Sequence, residues 1–299
     1  MGMMEGTMRI RVGCEFLYEA TWPAPAVLLV QARDDDPHRI LHEAWETTPA
    51  LPTRNYYDLY RNRCQRITLP LGPASLRYDA LVEISGDPDD VDVTTPQCAV
   101  EDLPDELIFY TLPSRYCLSE ALANTAWELF GGSEPGWARV QAVCDWINAN
   151  IEYGAKSTPL TTALDVYAAR GGICRDFAHL GVTFCRALNI PARYVFGYMP
   201  DIGIPPPYPA MDFHAWFEAY LGNRWWTFDA RFNTPRIGRI PIGRGRDAVD
   251  VAMVTTYGAA NFRQMTVWSD VVAGGENDGP VAVTTAGETD GGTIAARRD

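Results

Sequence analysis

The chain has 299 residues, an apolar fraction of 47% and a net charge of −13. That length and composition suit one large globular domain or two ordinary ones, and the acidic balance argues against nucleic-acid binding and against docking on an anionic membrane. No apolar run reaches the roughly 18 residues that a membrane helix needs, and the opening "MGMMEGTMRIR" lacks the apolar core of a signal peptide, so a cytoplasmic protein is expected.

The first stretch reads as β structure. Met8, Ile10, Val12, Cys14, Phe16 and Tyr18 alternate with Arg9, Arg11 and Glu15, the period-two pattern of a half-buried strand. Leu76, Tyr78, Ala80, Val82 and Ile84 repeat it just after the breaker Gly72-Pro73. With "APAVLLVQA" and "RNRCQRITL" between them, residues 8–95 are expected to form an antiparallel sandwich or barrel. The acidic, turn-rich "SGDPDDVDVTTPQ" (85–97) marks the linker to a second domain over 100–270.

Helical signals follow. "SEALANTAWELFGG" places Leu122, Ala126, Leu129 and Phe130 near helical spacing and stops at Gly131-Gly132. In the next segment Trp137, Val140, Cys144, Ile147 and Ile151 repeat every three or four residues, with Ser133 as the expected N-cap. A third helix starts at Cys174, because Phe177, Leu180, Gly181, Phe184 and Leu188 fall on one face; "NIP" (189–191) ends it. Strands are expected from about 190 onward. Residues 273–299, rich in Gly, Thr and Asp, read as a disordered tail.

Seven scattered cysteines, with no CxxC and no HExxH, point to reduced thiols and give no support for zinc. Phosphate-binding glycine loops are also missing from the sequence. Cys117, Cys144 and Cys185 read as small buried hydrophobes. Cys174 differs: "GGICRDFAH" (171–179) puts it in the first turn of a helix, entered through two glycines, where free backbone N–H groups and the helix dipole favour a thiolate.

A reactive thiol needs a base, and the chain holds only His38, His42, His179 and His214. His179 is near in sequence, but five residues along a helix is about 140° around the axis and ~7.5 Å along it, so it points away from Cys174. His38 and His42 lie in the β region, in what reads as an ordinary strand or loop. His214 opens "DFHAWFEAYLGNRWWTFDA" (212–230), a hairpin turning at Gly222-Asn223. Pairing Leu221 with Arg224 puts Glu218 opposite Thr227, Trp216 opposite Asp229 and His214 opposite Arg231. His214 and Asp229 then share a face as diagonal neighbours, ~7–8 Å apart at the backbone. That is the arrangement of a base and its orienting carboxylate. A three-residue turn would instead put them on opposite faces. The arginines Arg236, Arg239, Arg244 and Arg246 are expected to form buried ion pairs with nearby acids such as Asp247. The Pro-rich 198–212 reads as a stiff connection or a rim of the substrate groove.

Together, "GGICRDFAHLGVTFCRALNIPARYVFGY" and the His214 hairpin resemble the transglutaminase-like superfamily. The resemblance extends over most of 8–270, including 147–163 upstream of the cysteine and 229–258 downstream, where it is with a bacterial branch described as transglutaminase-like or as cysteine peptidases. It implies an α+β fold, with a papain-like core in which a helix carries the cysteine and an antiparallel sheet carries the histidine and the acid, preceded by an all-β domain. It also implies a catalytic triad of Cys174, His214 and Asp229, without cofactor or metal. No acidic loop has calcium-ligand spacing, so calcium activation is not supported. The papain signature around the cysteine is absent as well. Three readings stay open: a thiol hydrolase acting on peptide or isopeptide amides, a transamidase that passes the acyl group to an amine, and an inactive binding protein on the same fold. The expected partner is a protein or peptide substrate, and the oligomeric state is open.

Overall fold

Alternation in the first hundred residues becomes paired strands. A computed structural model describes residues 6–154, 157–206 and 210–272; the expected tail over 273–299 lies outside the described residues. The chain begins with β1 (Thr7–Ala20), β2 (Ala24–Leu28), β3 (Arg39–Thr48), β4 (Arg54–Tyr57), β5 (Arg63–Leu69) and β6 (Gly72–Ser85). β1 and β6 pair antiparallel with Ile10 opposite Val82, Val12 opposite Ala80 and Cys14 opposite Tyr78. The residues expected inside are inside: Ile10, Val12, Cys14, Tyr78, Ala80 and Val82 are all fully buried.

Two short 3-10 turns then lead to α1 (Ala123–Phe130), α2 (Trp137–Asn150), β7 (Glu152–Tyr153), α3 (Ala163–Ala169), β8 (Gly171–Gly172) and α4 (Cys174–Ala187). The start of α2 differs from expectation. Its N-cap is Gly136, not Ser133, with φ at 116°. A side chain at Gly136 would also lie 2.4 Å from the Thr95 carbonyl oxygen, so both conformation and contact require glycine.

The last part of the chain adds β9 (Ala192–Tyr198), β10 (His214–Leu221), β11 (Arg224–Phe228), β12 (Ile240–Gly245), β13 (Val254–Thr256) and β14 (Ala260–Val272). Three four-stranded sheets result, in the orders β14-β1-β6-β3, β13-β2-β5-β4 and β11-β10-β9-β12. The first two contain β14 and β13, which return from the far end of the chain to pair with β1 and β2. Both sheets thus combine strands from 8–95 with strands from the last part of the chain. The reason is long-range: β1 and β2 are completed by partners more than two hundred residues away, which no local pattern announces.

The third sheet carries the site. One face, including Tyr194, Phe196, Tyr198 and Ile240, packs into the core of the N-terminal sheets. The other, including Ala192, Phe217, Ala219 and Phe228, packs on the helices. β10 is buried along its whole length, as a strand covered on both sides must be. α4 lies against β10 and β9. A Cβ at Gly181 would come within 2.4 Å of the Phe217 ring, so this glycine sets how closely α4 approaches β10.

Candidate active site

The approach to Cys174 is built from local rules. Thr162 caps α3 reciprocally with Asp165, and the helix ends at Arg170 in the left-handed conformation. Gly171 and Gly172 then pair in parallel with Glu152 and Tyr153, and the chain turns into α4. The Ile173 N–H donates to Asp176 Oδ2 at 3.0 Å, closing the first turn. Arg175 locks that carboxylate from the other side, donating to Asp176 Oδ1 at 2.8 Å and to Ser157 Oγ at 2.8 Å.

Cys174 is the first residue of α4 and keeps partial exposure. The helix-terminus argument for a thiolate meets a larger opposing effect. Burial pushes the thiol up to about 11, although the nearby Ala215 N–H and the Arg231 charge act to lower it. Burial and helix position thus act on this thiol in opposite directions.

Ala215 stands at the start of β10, next to His214, on the strand that α4 packs against. The hairpin register is as expected from Leu221 opposite Arg224 back to Glu218 opposite Thr227, and the ladder ends at Phe217 opposite Phe228. Trp216/Asp229 and His214/Arg231 are therefore not ladder pairs. Asp229 leaves the strand, its carbonyl accepting from Asn233 N–H at 2.7 Å. The side chains nevertheless meet: His214 Nε2 lies 2.7 Å from Asp229 Oδ2, both well buried.

Electrostatics assigns the tautomer. Burial acts to raise the Asp229 carboxyl, but His214 and Arg239 outweigh it and hold it well below the ordinary carboxylate range. Burial lowers His214 from its usual value, more than Asp229 raises it. A neutral ring against a carboxylate carries its proton on Nε2. Nδ1 is then a bare lone pair, and it is buried with no hydrogen-bond partner among the described residues.

Comparisons with known proteins agree with this architecture. The model of the transglutaminase-like superfamily matches residues 123–230, a span holding all three residues. A crystal structure of a "putative cysteine protease" from Cytophaga hutchinsonii is 33% identical, with a TM-score of 0.81 over 91% of this chain and 93% of that one. The chain belongs to the transglutaminase-like superfamily. An uncharacterized protein of Mycobacterium leprae is 33% identical over 118 residues, and one of Mycobacterium tuberculosis 32% over 120. Those matches cover 42% and 37% of the mycobacterial proteins, so the similarity spans about two fifths of their length.

Within this superfamily core, one arginine stands behind the acid. Arg239 Nη2 donates to Asp229 Oδ2 at 3.0 Å, and its Nε donates to Asp89 Oδ2 at 2.8 Å. Asp89 comes from the 85–97 segment, which thus does more than connect. The remaining Asp229 oxygen, Oδ1, accepts from the N–H groups of Arg231 at 3.1 Å and Phe232 at 3.4 Å. Sequence reasoning expected Arg239 to be ion-paired but could not name its partners.

The other arginines of that stretch behave similarly, with one exception in partner. Arg244 bridges Glu218 and Asp36, and Arg246 pairs with Asp250. Arg236 donates instead to the Pro200 and Ile202 carbonyls, which ties down the described part of the 198–212 connection. Asp247 accepts from the Tyr116 and Val249 N–H groups and pairs with no arginine among the described residues.

The other histidines stay apart from the site. His179 is fully buried, stacked on Tyr116 with centroids 5.0 Å apart, and its Nε2 accepts from the Ala248 N–H at 3.1 Å. Burial presses it down to about 3, so it is a neutral packing residue. His42 lies on β3, and His38 Nε2 contacts the Arg33 carbonyl. No helix among the described residues is long and apolar enough to cross a membrane.

Proposed function

We propose that this chain is a cysteine-dependent acyl-transfer enzyme that cleaves peptide or isopeptide amides through a thioester on Cys174, with His214 as base and Asp229 as its orienting acid. The observation that carries this reading is the His214–Asp229 contact, which leaves Nδ1 bare on a strand packed against α4, the helix that Cys174 begins. Burial favours the neutral form of both thiol and imidazole, so in this reading proton transfer accompanies attack. His214 Nδ1 takes the thiol proton as the sulfur–carbon bond forms. Asp229, held ionised by Arg239, stabilises the imidazolium. The Cys174 N–H, at the first position of α4 and so outside the helix ladder, is placed to donate to the oxyanion. As the carbon–nitrogen bond breaks, the imidazolium proton passes to the departing amine. Water then attacks the thioester, His214 takes its proton, and the carboxylic acid leaves as the thiol is restored.

An amine in place of water at the last step gives transamidation by the same machinery. Both reactions need a free thiol, and all seven cysteines are free, in keeping with a cytoplasmic setting. The test is to incubate the protein with a peptide library, with and without a primary amine, and to read Cys174 by intact mass. An acyl adduct on Cys174, lost in Cys174→Ala, is the expected result; hydrolysed peptide or amine conjugate then identifies the acceptor. A folded protein that no peptide acylates would remove this function.

A further inference from the structure

We propose that Arg231, stacked on Tyr153 beside Cys174, is a carboxylate anchor: the site selects substrates that carry a free carboxylate close to the amide being cleaved. The inference rests on the acyl-transfer reading above and adds the substrate class.

Arg231 follows Asp229 by two residues, and its backbone is held from both sides. Its N–H donates to Asp229 Oδ1 at 3.1 Å, and its carbonyl accepts from Asn148 Nδ2 at 2.8 Å. The guanidinium carbon sits 3.7 Å from the centroid of the Tyr153 ring and 4.7 Å from that of Phe232. Tyr153 belongs to β7 and pairs with Gly172, two residues before the nucleophile. Its ring also meets that of Phe177 on α4, with centroids 5.9 Å apart. The stack therefore spans from the loop after the acid to the segment that enters the nucleophile helix. Arg231 is near enough to Cys174 and His214 for its charge to act on both.

Stacking occupies the flat faces of a guanidinium and leaves its in-plane N–H edge free. Among the described residues, no carboxylate lies within ion-pair distance of Arg231, and no hydrogen bond is made by its guanidinium; none of its nitrogens is a buried orphan. Its neighbours differ. Arg239 binds Asp89 and Asp229, and Arg175 binds Asp176. Asp212 acts on the same cysteine and feels the Arg231 charge, but the two form no ion pair among the described residues. A fork of donors, rigidly mounted and unspent, beside the nucleophile of a chain with net charge −13, fits a planar carboxylate bidentately. Two sources share that chemistry: an acidic side chain next to the scissile bond, or a chain terminus.

The test uses matched peptides: Glu against Gln beside the cleaved amide, and a free against an amidated C-terminus. Rates of Cys174 acylation are read by intact mass for the wild-type protein and for Arg231→Gln and Arg231→Glu. In parallel, binding of the same peptides to Cys174→Ala and to the double variant Cys174→Ala/Arg231→Gln is measured by calorimetry. The expected result is a preference of about tenfold or more for one carboxylate-bearing member, collapsing to within about twofold in Arg231→Gln and reversing in Arg231→Glu. Which pair shows it identifies the source. Acylation with no acid preference, or a preference that survives Arg231→Gln, overturns the anchor while leaving the reaction intact. Arg231-dependent binding without any acylation keeps the anchor and removes the reaction. Neither binding preference nor acylation overturns both.

Discussion

Replacing Asp229 by Asn changes two atoms' chemistry and almost no volume, yet the hydrogen bonds leave the amide no good orientation. Both carboxylate oxygens accept: Oδ1 from the N–H groups of Arg231 and Phe232, Oδ2 from His214 Nε2 and Arg239 Nη2. An amide offers one acceptor and one donor group. If its oxygen stays on the two backbone N–H groups, its NH2 confronts the Arg239 guanidinium and makes His214 Nε2 an acceptor. The ring proton then moves to Nδ1, the atom that has to take the thiol proton. If the amide flips, its NH2 faces two backbone donors. Either way buried donors lose their acceptor: Arg239 keeps only Asp89 in the first orientation, and the Arg231 and Phe232 N–H groups lose theirs in the second. The stability loss is about 2–4 kcal/mol, below that of a fully orphaned buried charge because Asp89 remains. Near-isosteric shape therefore does not make the substitution neutral. In the first orientation kcat/KM falls by about 10³–10⁴, as when the orienting carboxylate of a triad is replaced. Chemical denaturation reads the stability, peptide acylation kinetics the rate, and nitrogen NMR of His214 the tautomer. A folded Asp229→Asn protein that keeps kcat/KM within tenfold of wild type, or that keeps the Nε2–H tautomer while losing rate, would refute the argument.

Three further outcomes follow from the same structure. Alkylation of Cys174 by iodoacetamide should climb through the alkaline range toward the raised thiol value of about 11, ahead of the more deeply buried Cys144 and Cys185; a rate plateau extending below pH 6 would mean a thiolate–imidazolium pair instead. His179→Ala should lose about 2–4 kcal/mol of stability, through a cavity beside Tyr116 and an orphaned Ala248 N–H, and remain active, whereas His214→Ala should be inactive; the reverse pattern in folded proteins would reassign the base. Glu218 is buried, which acts to raise it, yet Arg193 and Arg244 hold it down to about 2 from 4.5. A lowered carboxyl adds stability above its unfolded value and loses it as pH falls from about 4.5 toward 2, so about 3 kcal/mol should disappear across that window. Denaturation of Glu218→Gln from pH 7 to pH 3 should show a correspondingly flatter acid slope, and an unchanged slope would count against the pair.

The parts of this protein that the sequence determined alone are those in which neighbours along the chain impose the geometry. β1 and β6 were legible because a strand with one buried face must alternate, and α4 because one apolar stripe must recur at helical spacing. The hairpin was legible from Leu221/Arg224 to Phe217/Phe228 because a two-residue turn sets the register, whereas Asp229 lies past the end of that ladder and reaches His214 from the loop that follows. Tertiary structure decided what depends on groups distant in sequence. Gly136 rather than Ser133 caps α2 because the Thr95 carbonyl crowds that position. β13 and β14 complete the first two sheets because hydrogen-bonding edges need partners wherever the chain can supply them. Asp89 reaches Arg239 across 150 positions, and no spacing rule connects them. The protonation of Cys174 belongs here too. The helix start favours a thiolate by local electrostatics, but the desolvation that raises the thiol comes from the folded protein packed around it, and in this site desolvation is the larger effect.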